Sequence, residues 1–318
     1  MNDHRTRPPF DPEVEPALVQ LESELPAMTA DVIPELRASY VTTGVDAALA
    51  ERSVTRRDLT IPGFRDDGIT ITVLSKGDRT GARPGISHLH AGGGIFGDRF
   101  VGVEVLADWV DRYDVVVVTT EYRTAPEFPD PYSVEDSYAS LAWTAEHAEE
   151  LGIDPARILL EGNSYGGGLV AGVALMARDR GGPPLIGQLL MYPSLDDRQA
   201  TVSAEQYENL NWDGGINRIG WMAVLGERHG TDDVSIYAAP ARAEDLSGLP
   251  PAYLSCGSAE ACRDECVAYA TRLWEAGVQA ELHVWAGGFH GFEGFAPDAR
   301  VTEALLHARD NWMTRMLA

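Results

Sequence analysis

Apolar positions along this chain follow two alternating rhythms from residue 69 onward. Ile69-Thr70-Ile71-Thr72-Val73-Leu74 alternates apolar and polar side chains, the period of a half-buried strand. Ile86-Ser87-His88-Leu89-His90 reads as another strand. Val115-Val116-Val117-Val118 is a continuous β-branched run, as expected of a strand buried on both faces. Further strand patterns lie at 157–161, 185–192, 251–255 and 281–285. Helical patterns fall between or after them, at 100–112, 132–150, 168–177, 263–277 and 301–317. Strands alternating with helices predict an α/β fold, with a mostly parallel central sheet covered on both faces.

Two stretches break this rhythm. Residues 1 to about 50 are rich in proline and acid, with short helical patterns at 16–25 and 32–40. Residues 195–238 hold Trp212, Trp221 and clusters of Asn, Gly and Asp, with no clear strand. The expected organisation is a cap segment over 1–50 and a catalytic domain over 51–318, with a cap insert at 195–238. The two cap pieces should pack together over the carboxyl ends of the strands, where open α/β sheets bind ligands.

One turn in this frame carries chemistry. Gly162-Asn163-Ser164-Tyr165-Gly166-Gly167 follows the strand pattern Arg157–Glu161 and precedes a Gly/Ala-rich helical stretch. G-x-S-x-G between a strand and a helix is the setting of a nucleophile elbow. Glycines two residues to either side let the backbone close tightly, and the turn presents the serine hydroxyl at the positive end of the following helix. The alternative is a glycine-rich turn with an ordinary serine.

A serine nucleophile needs a base, a group that orients the base, and donors for the developing oxyanion. Of eight histidines, His4, His147, His229 and His307 sit in exposed-looking contexts, and His88 and His283 lie inside strand patterns. His90 opens a glycine run. His290 lies in Gly287-Gly288-Phe289-His290-Gly291, just past the final strand, where an α/β hydrolase carries its base. The acid should come between serine and base in chain order. Glu260 follows the strand at 251–255 and is preferred. Asp264 and Glu265 are its rivals, but acids in a helix's first turn already favour the helix dipole. His90-Ala91-Gly92-Gly93-Gly94 follows a strand and offers backbone donors. Gly92, Gly93 and the N–H of Tyr165 are expected to converge on one oxygen.

Composition narrows the picture. The net charge of −24 over 318 residues disfavours nucleic acid and anionic membrane surfaces as partners. No apolar run approaches the ~18 residues of a membrane helix, and the N-terminus carries no apolar leader, so the expected location is the cytoplasm. Lys76 is the only lysine. Cys256, Cys262 and Cys266 lack metal-ligand spacing and read as semi-buried free thiols, so no metal site is called for.

Taken together, these motifs resemble the hormone-sensitive-lipase-like esterases of the α/β-hydrolase fold. His90-Ala91-Gly92-Gly93 resembles the family's H-G-G-G, with Gly97 at its later glycine. Glu121-Tyr122-Arg123-Thr124-Ala125-Pro126-Glu127 resembles Y-R-L-A-P-E. The elbow resembles G-D-S-A-G-G, Glu260–Glu265 resembles D-P-L-R-D-E, and Phe289-His290-Gly291-Phe292 resembles its H-G-F. The resemblance implies a serine carboxylesterase working without a cofactor on a small-molecule ester, with Ser164, His290 and Glu260 as its triad. It also implies a helical cap. Bacterial members are often homodimers, which the sequence leaves open.

The departures bear on substrate. Ala91 replaces a glycine, Gly94 stands where an aromatic residue is usual, and Asn163 and Tyr165 replace Asp and Ala beside the nucleophile. Glu260 replaces the commoner Asp. Phe96, Tyr165, Trp212 and Trp221 are candidate pocket residues, although the two tryptophans fit cap core slightly better. The same triad would serve amide, carbamate or lactone hydrolysis. A lyase or a ligand-binding member of the fold is the remaining alternative.

Overall fold

The structure, a computed structural model, describes residues 6–77 and 81–318; His4 lies outside them. Among the described residues eight strands form one sheet: β1 (Thr55–Pro62), β2 (Gly68–Ser75), β3 (Arg83–Leu89), β4 (Val116–Glu121), β5 (Ile153–Asn163), β6 (Leu185–Met191), β7 (Ala252–Gly257) and β8 (Ala280–Trp285). Their spatial order is β1-β2-β4-β3-β5-β6-β7-β8. Only β2 runs against its neighbours; β4, β3 and β5 to β8 are parallel.

The helices, in chain order, are α1 (Glu15–Glu24), α2 (Ile33–Ser39), α3 (Val45–Glu51), α4 (Val103–Tyr113), α5 (Tyr132–Glu146), α6 (Ala148–Leu151) and α7 (Tyr165–Asp179). Then follow α8 (Val202–Tyr207), α9 (Ile216–Leu225), α10 (Arg263–Glu275), α11 (Phe292–Phe295) and α12 (Arg300–Leu317).

The valine run shows why the sheet is covered on both faces. Val116 and Val118 pack with Val134 and Leu141 of α5 and Val170 and Val173 of α7. Val115 and Val117 enter the opposite layer with Leu106 and Val110 of α4 and Trp312 and Met313 of α12. Each such side chain contributes ~1.5–3 kcal/mol by leaving water. A strand sandwiched this way shows no alternation, because both faces need apolar residues.

Three features differ from the sequence expectation. β1 and α3 carry no strong pattern; β1 is an edge strand with mostly exposed positions, including Arg56, Arg57 and Asp58. The helical pattern at 132–150 breaks at His147 into α5 and α6. The three cysteines are fully buried, not semi-buried, and none is in a disulfide.

Residues 195–238 contain no strand. They form α8, a wide turn at Asn211–Gly215 and α9. The N-terminal segment lies against them: the Tyr207 hydroxyl donates to Pro8 O at 3.1 Å, and the Tyr40 and Trp212 rings lie 5.9 Å apart. No helix among the described residues is long and apolar enough to cross a membrane, and no group of three or more His, Cys, Asp or Glu is placed to hold a metal.

Candidate active site

Ser164 lies in the single-residue turn between β5 and α7, with φ 55° and ψ −121°. A non-glycine residue adopts such a conformation only when its surroundings impose it. Here the imposition is visible. Ser164 N–H donates to Met191 O at 2.8 Å, while Ser164 O accepts from Gly168 and Ser194 at 3.0 and 3.1 Å. The flanking glycines permit the close approach. A Cβ on Gly162 would lie 2.5 Å from Gly166 O, and one on Gly166 would lie 2.1 Å from Leu89 O.

His290 sits in the loop between β8 and α11. Its Nε2 is 2.8 Å from Ser164 Oγ. Its Nδ1 is 2.5 Å from Glu260 Oε2. A carboxylate accepts, so Nδ1 carries the proton, and in the neutral ring Nε2 is left to accept from the serine hydroxyl. Glu260 is fully buried and also accepts the N–H of Gly257 through Oε1, at 2.5 Å. Burial alone would push the His290 pKa down. The hydrogen bond and charge of Glu260 outweigh it, with smaller help from Asp213 and Glu293, and raise it to about 9.

The rival acids have other partners. Asp264 accepts the N–H of Ser203 at 2.8 Å and pairs with Arg263. Glu265 accepts the N–H groups of Leu195 and Asp196 at 3.1 and 3.0 Å. The other strand histidines are also engaged elsewhere. His88 Nδ1 is 2.5 Å from Glu161 Oε2 across the β3–β5 pairing, and His283 meets Glu281. His90 is buried and stacks on Tyr122 at 4.1 Å. Its Nδ1 meets Ala91 O, which fastens the start of the glycine run.

The glycine run faces the same cavity as the serine. Gly92 O accepts from Ile95 and Phe96, which folds the loop back on itself. The N–H groups of Gly92, Gly93 and Tyr165 donate to no acceptor among the described residues. Tyr165 is the first residue of α7, so its N–H has no partner within the helix.

The cavity has a volume of about 660 Å3 and includes Ser164 and His290 in its wall. All four candidate pocket residues line it: Phe96, Tyr165, Trp212 and Trp221. For the tryptophans, which fit cap core slightly better by sequence, core and cavity wall are not exclusive. Trp221 serves both purposes, being 2% exposed and edge-on to Tyr165 at 6.1 Å. Trp212 reaches the His290 loop, its Nε1 donating to His290 O at 2.8 Å. The Tyr165 hydroxyl is 2.7 Å from Ser133 Oγ, and burial raises its pKa well above that of a free phenol.

Asp213 also lines the cavity, and nothing in the sequence pattern pointed to it. It sits in a strandless Asn-Trp-Asp-Gly-Gly turn with no periodicity to mark it. Burial is the main force on its carboxyl, opposed by the charge of His290 and reinforced by that of Glu260, and lifts its pKa to about 7. Tyr192 was also missed. Its ring stands edge-on to His290 at 4.9 Å.

Known proteins share this architecture. Residues 86–294 match a family described as alpha/beta hydrolase fold. Esterase LipI of Mycobacterium tuberculosis is 36% identical over 219 residues, covering 67% of each chain. Carboxylesterase NlhH of the same organism is 38% identical over 220 residues, again 67% of each chain. A solved bacterial heroin esterase superposes with a TM-score of 0.87 at 37% identity, over 97% of this chain and 98% of its own.

Proposed function

The chain belongs to the α/β-hydrolase fold family, among its hormone-sensitive-lipase-like carboxylic ester hydrolases, and from that premise we propose a serine mechanism centred on Ser164. The observation that carries it is the unbroken hydrogen-bond chain from Ser164 Oγ through His290 to Glu260, at 2.8 and 2.5 Å.

Ser164 Oγ attacks the ester carbonyl as His290 Nε2 takes its proton. Glu260 holds the ring tautomer and stabilises the imidazolium. The N–H groups of Gly92, Gly93 and Tyr165 receive the developing oxyanion; each such donor is worth ~3 kcal/mol to the transition state. His290 then protonates the departing alcohol, leaving an acyl group on Ser164. It next takes a proton from water, whose attack releases the acid and restores the serine.

The substrates in this reading are small to medium acyl esters, matched to a cavity of about 660 Å3. The N-terminal segment and residues 195–238 act as a cap over the strand ends. The test is release of p-nitrophenol from a short-chain ester, with and without an organophosphate. Turnover should vanish with stoichiometric labelling of Ser164. Full turnover in Ser164→Ala would refute the mechanism.

A further inference from the structure

The turn Asn211–Gly215 touches three parts of the molecule at once. On its outer side it meets α1. Glu22 Oε2 accepts the N–H of Asn211 at 3.0 Å, and Glu22 Oε1 accepts that of Trp212 at 2.8 Å. Asn211 Nδ2 adds a longer bond to the same carboxylate at 3.3 Å. These are the free donors at the start of the turn that leads into α9, so a carboxylate there satisfies them and suits the helix dipole.

On its inner side the turn grips both loops that supply the base and the acid. Trp212 Nε1 donates to His290 O at 2.8 Å. Asp213 Oδ2 accepts the N–H of Ala261, the residue after Glu260, at 2.7 Å. The two contacts come from adjacent residues of one turn. The same turn therefore sets the spacing between the loop carrying His290 and the loop carrying Glu260. Asp213 is 3% exposed and its Oδ1 has no hydrogen-bond partner, so its placement is set by the turn and not by a surface pair.

We propose that Glu22 is a positioning residue for the ester hydrolase: through Asn211, Trp212 and Asp213 it clamps the base loop against the acid loop. The inference rests on the Ser164–His290–Glu260 reading and adds to it a requirement for α1, which lies outside the residues that match the family. Apart from the longer Asn211 Nδ2 bond, every link is a hydrogen bond to backbone, so the clamp acts on loop position and makes no contact with the reacting atoms. Misplacing a catalytic group by about 1 Å can cost on the order of 100-fold in rate, so a partial loosening has a measurable effect.

The test uses the full chain and p-nitrophenyl butyrate, with kcat, KM, the pH profile and thermal unfolding measured for each variant. Glu22→Ala should lower kcat about tenfold with KM nearly unchanged. Glu22→Gln keeps one acceptor and should recover part of that loss. Trp212→Phe keeps an aromatic side chain but loses the indole N–H, and should lower kcat in the same way. Glu24→Gln, on the same helix but away from the turn, should match the parent chain.

Asp213→Asn adds a readout that general loosening would not move. The charged groups around His290 are Glu260, Asp213 and Glu293, and those around Asp213 are His290, Glu260 and Glu22. Removing the Asp213 charge should carry the acid limb of kcat/KM to lower pH. Should Glu22→Ala fail to fold, Glu22→Gln and Trp212→Phe carry the test. Parent kcat in the folded Glu22 and Trp212 variants overturns the clamp, whatever the limb in Asp213→Asn. That result leaves the serine reading standing, whereas retained turnover in Ser164→Ala removes the serine reading itself.

Discussion

Gly94 and Tyr165 occupy what would otherwise be one volume. A Cβ on Gly94 would lie 2.9 Å from Tyr165 Cζ and 2.8 Å from Val224 Cγ2. In the family pattern that this sequence resembles, the first position carries an aromatic side chain and the second an alanine. Here the large side chain has moved to the other partner. The Tyr165 ring fills the space beside the glycine run, tied at its hydroxyl to Ser133. Pocket shape near the nucleophile is therefore set by this pair together.

This exchange predicts non-additive behaviour. Gly94→Ala alone should destabilise the protein by ~1–3 kcal/mol, since the buried tyrosine cannot yield and the glycine φ of 74° is unfavourable for alanine. Tyr165→Ala should shift preference toward bulkier esters. In the double variant the part of the Gly94→Ala cost that comes from the Tyr165 ring should disappear, while the contact with Val224 Cγ2 remains. A double-mutant cycle on unfolding free energy, with kcat/KM across esters of increasing size, checks both. Strict additivity and an unchanged size profile would contradict the shared volume.

The triad predicts a graded set of losses. Ser164→Ala and His290→Ala should each reduce kcat/KM by on the order of 10⁴-fold or more. Glu260→Gln should be the mildest, because it still leaves a nucleophile and a base in place. Steady-state rates on p-nitrophenyl esters measure this order. A glutamine variant at least as damaged as the serine variant would argue against an orienting role for Glu260.

The raised pKa of His290 predicts alkaline activity. The imidazole must be unprotonated to act as base, and in the free enzyme it holds its proton up to about pH 9. The kcat/KM value should therefore rise with pH through that region. Glu260→Gln removes the main force raising the pKa, so its limb should appear at lower pH despite the lower rate. A limb common to both proteins would detach the titration from His290. Asp213 titrates nearby, so the observed midpoints belong to the coupled set.

Buried acids predict the direction in which stability depends on pH. Burial lifts the Glu265 pKa to about 8, against hydrogen bonds from Leu195 and Asp196 that lower it, and Asp213 reaches about 7. Unfolded, both titrate near 4. The folded state thus binds the extra protons, and this contribution is lost as pH rises from about 4 through the folded values. His290 acts in the same sense between about 6.5 and 9. Urea unfolding should give greater stability at pH 5 than at pH 8. In Asp213→Asn and Glu265→Gln the difference should narrow, and a slope of opposite sign in the parent chain would contradict the assignment.

Much of the fold was legible before any coordinates. β2 was visible because burial on one face leaves a local period, and β4 because burial on both faces leaves a continuous β-branched run. β1 was not, because an edge strand with exposed charges has no apolar pattern. Ser164 was conspicuous for a related reason: the elbow needs its glycines at fixed offsets, and fixed offsets are a local signal. His290 and Glu260 followed from their places after two strands.

By itself, then, the sequence determined the reaction class, the order of the seven strands after β1 along the chain and the residues that stand at the strand ends. It could not say how those ends meet. The contact of Glu22 with a turn 189 and 190 residues away is invisible to any local period. So is the exchange of volume between Gly94 and Tyr165. Both are set by packing between segments distant in the chain, where only close approach in space decides which atoms share a hydrogen bond or a volume.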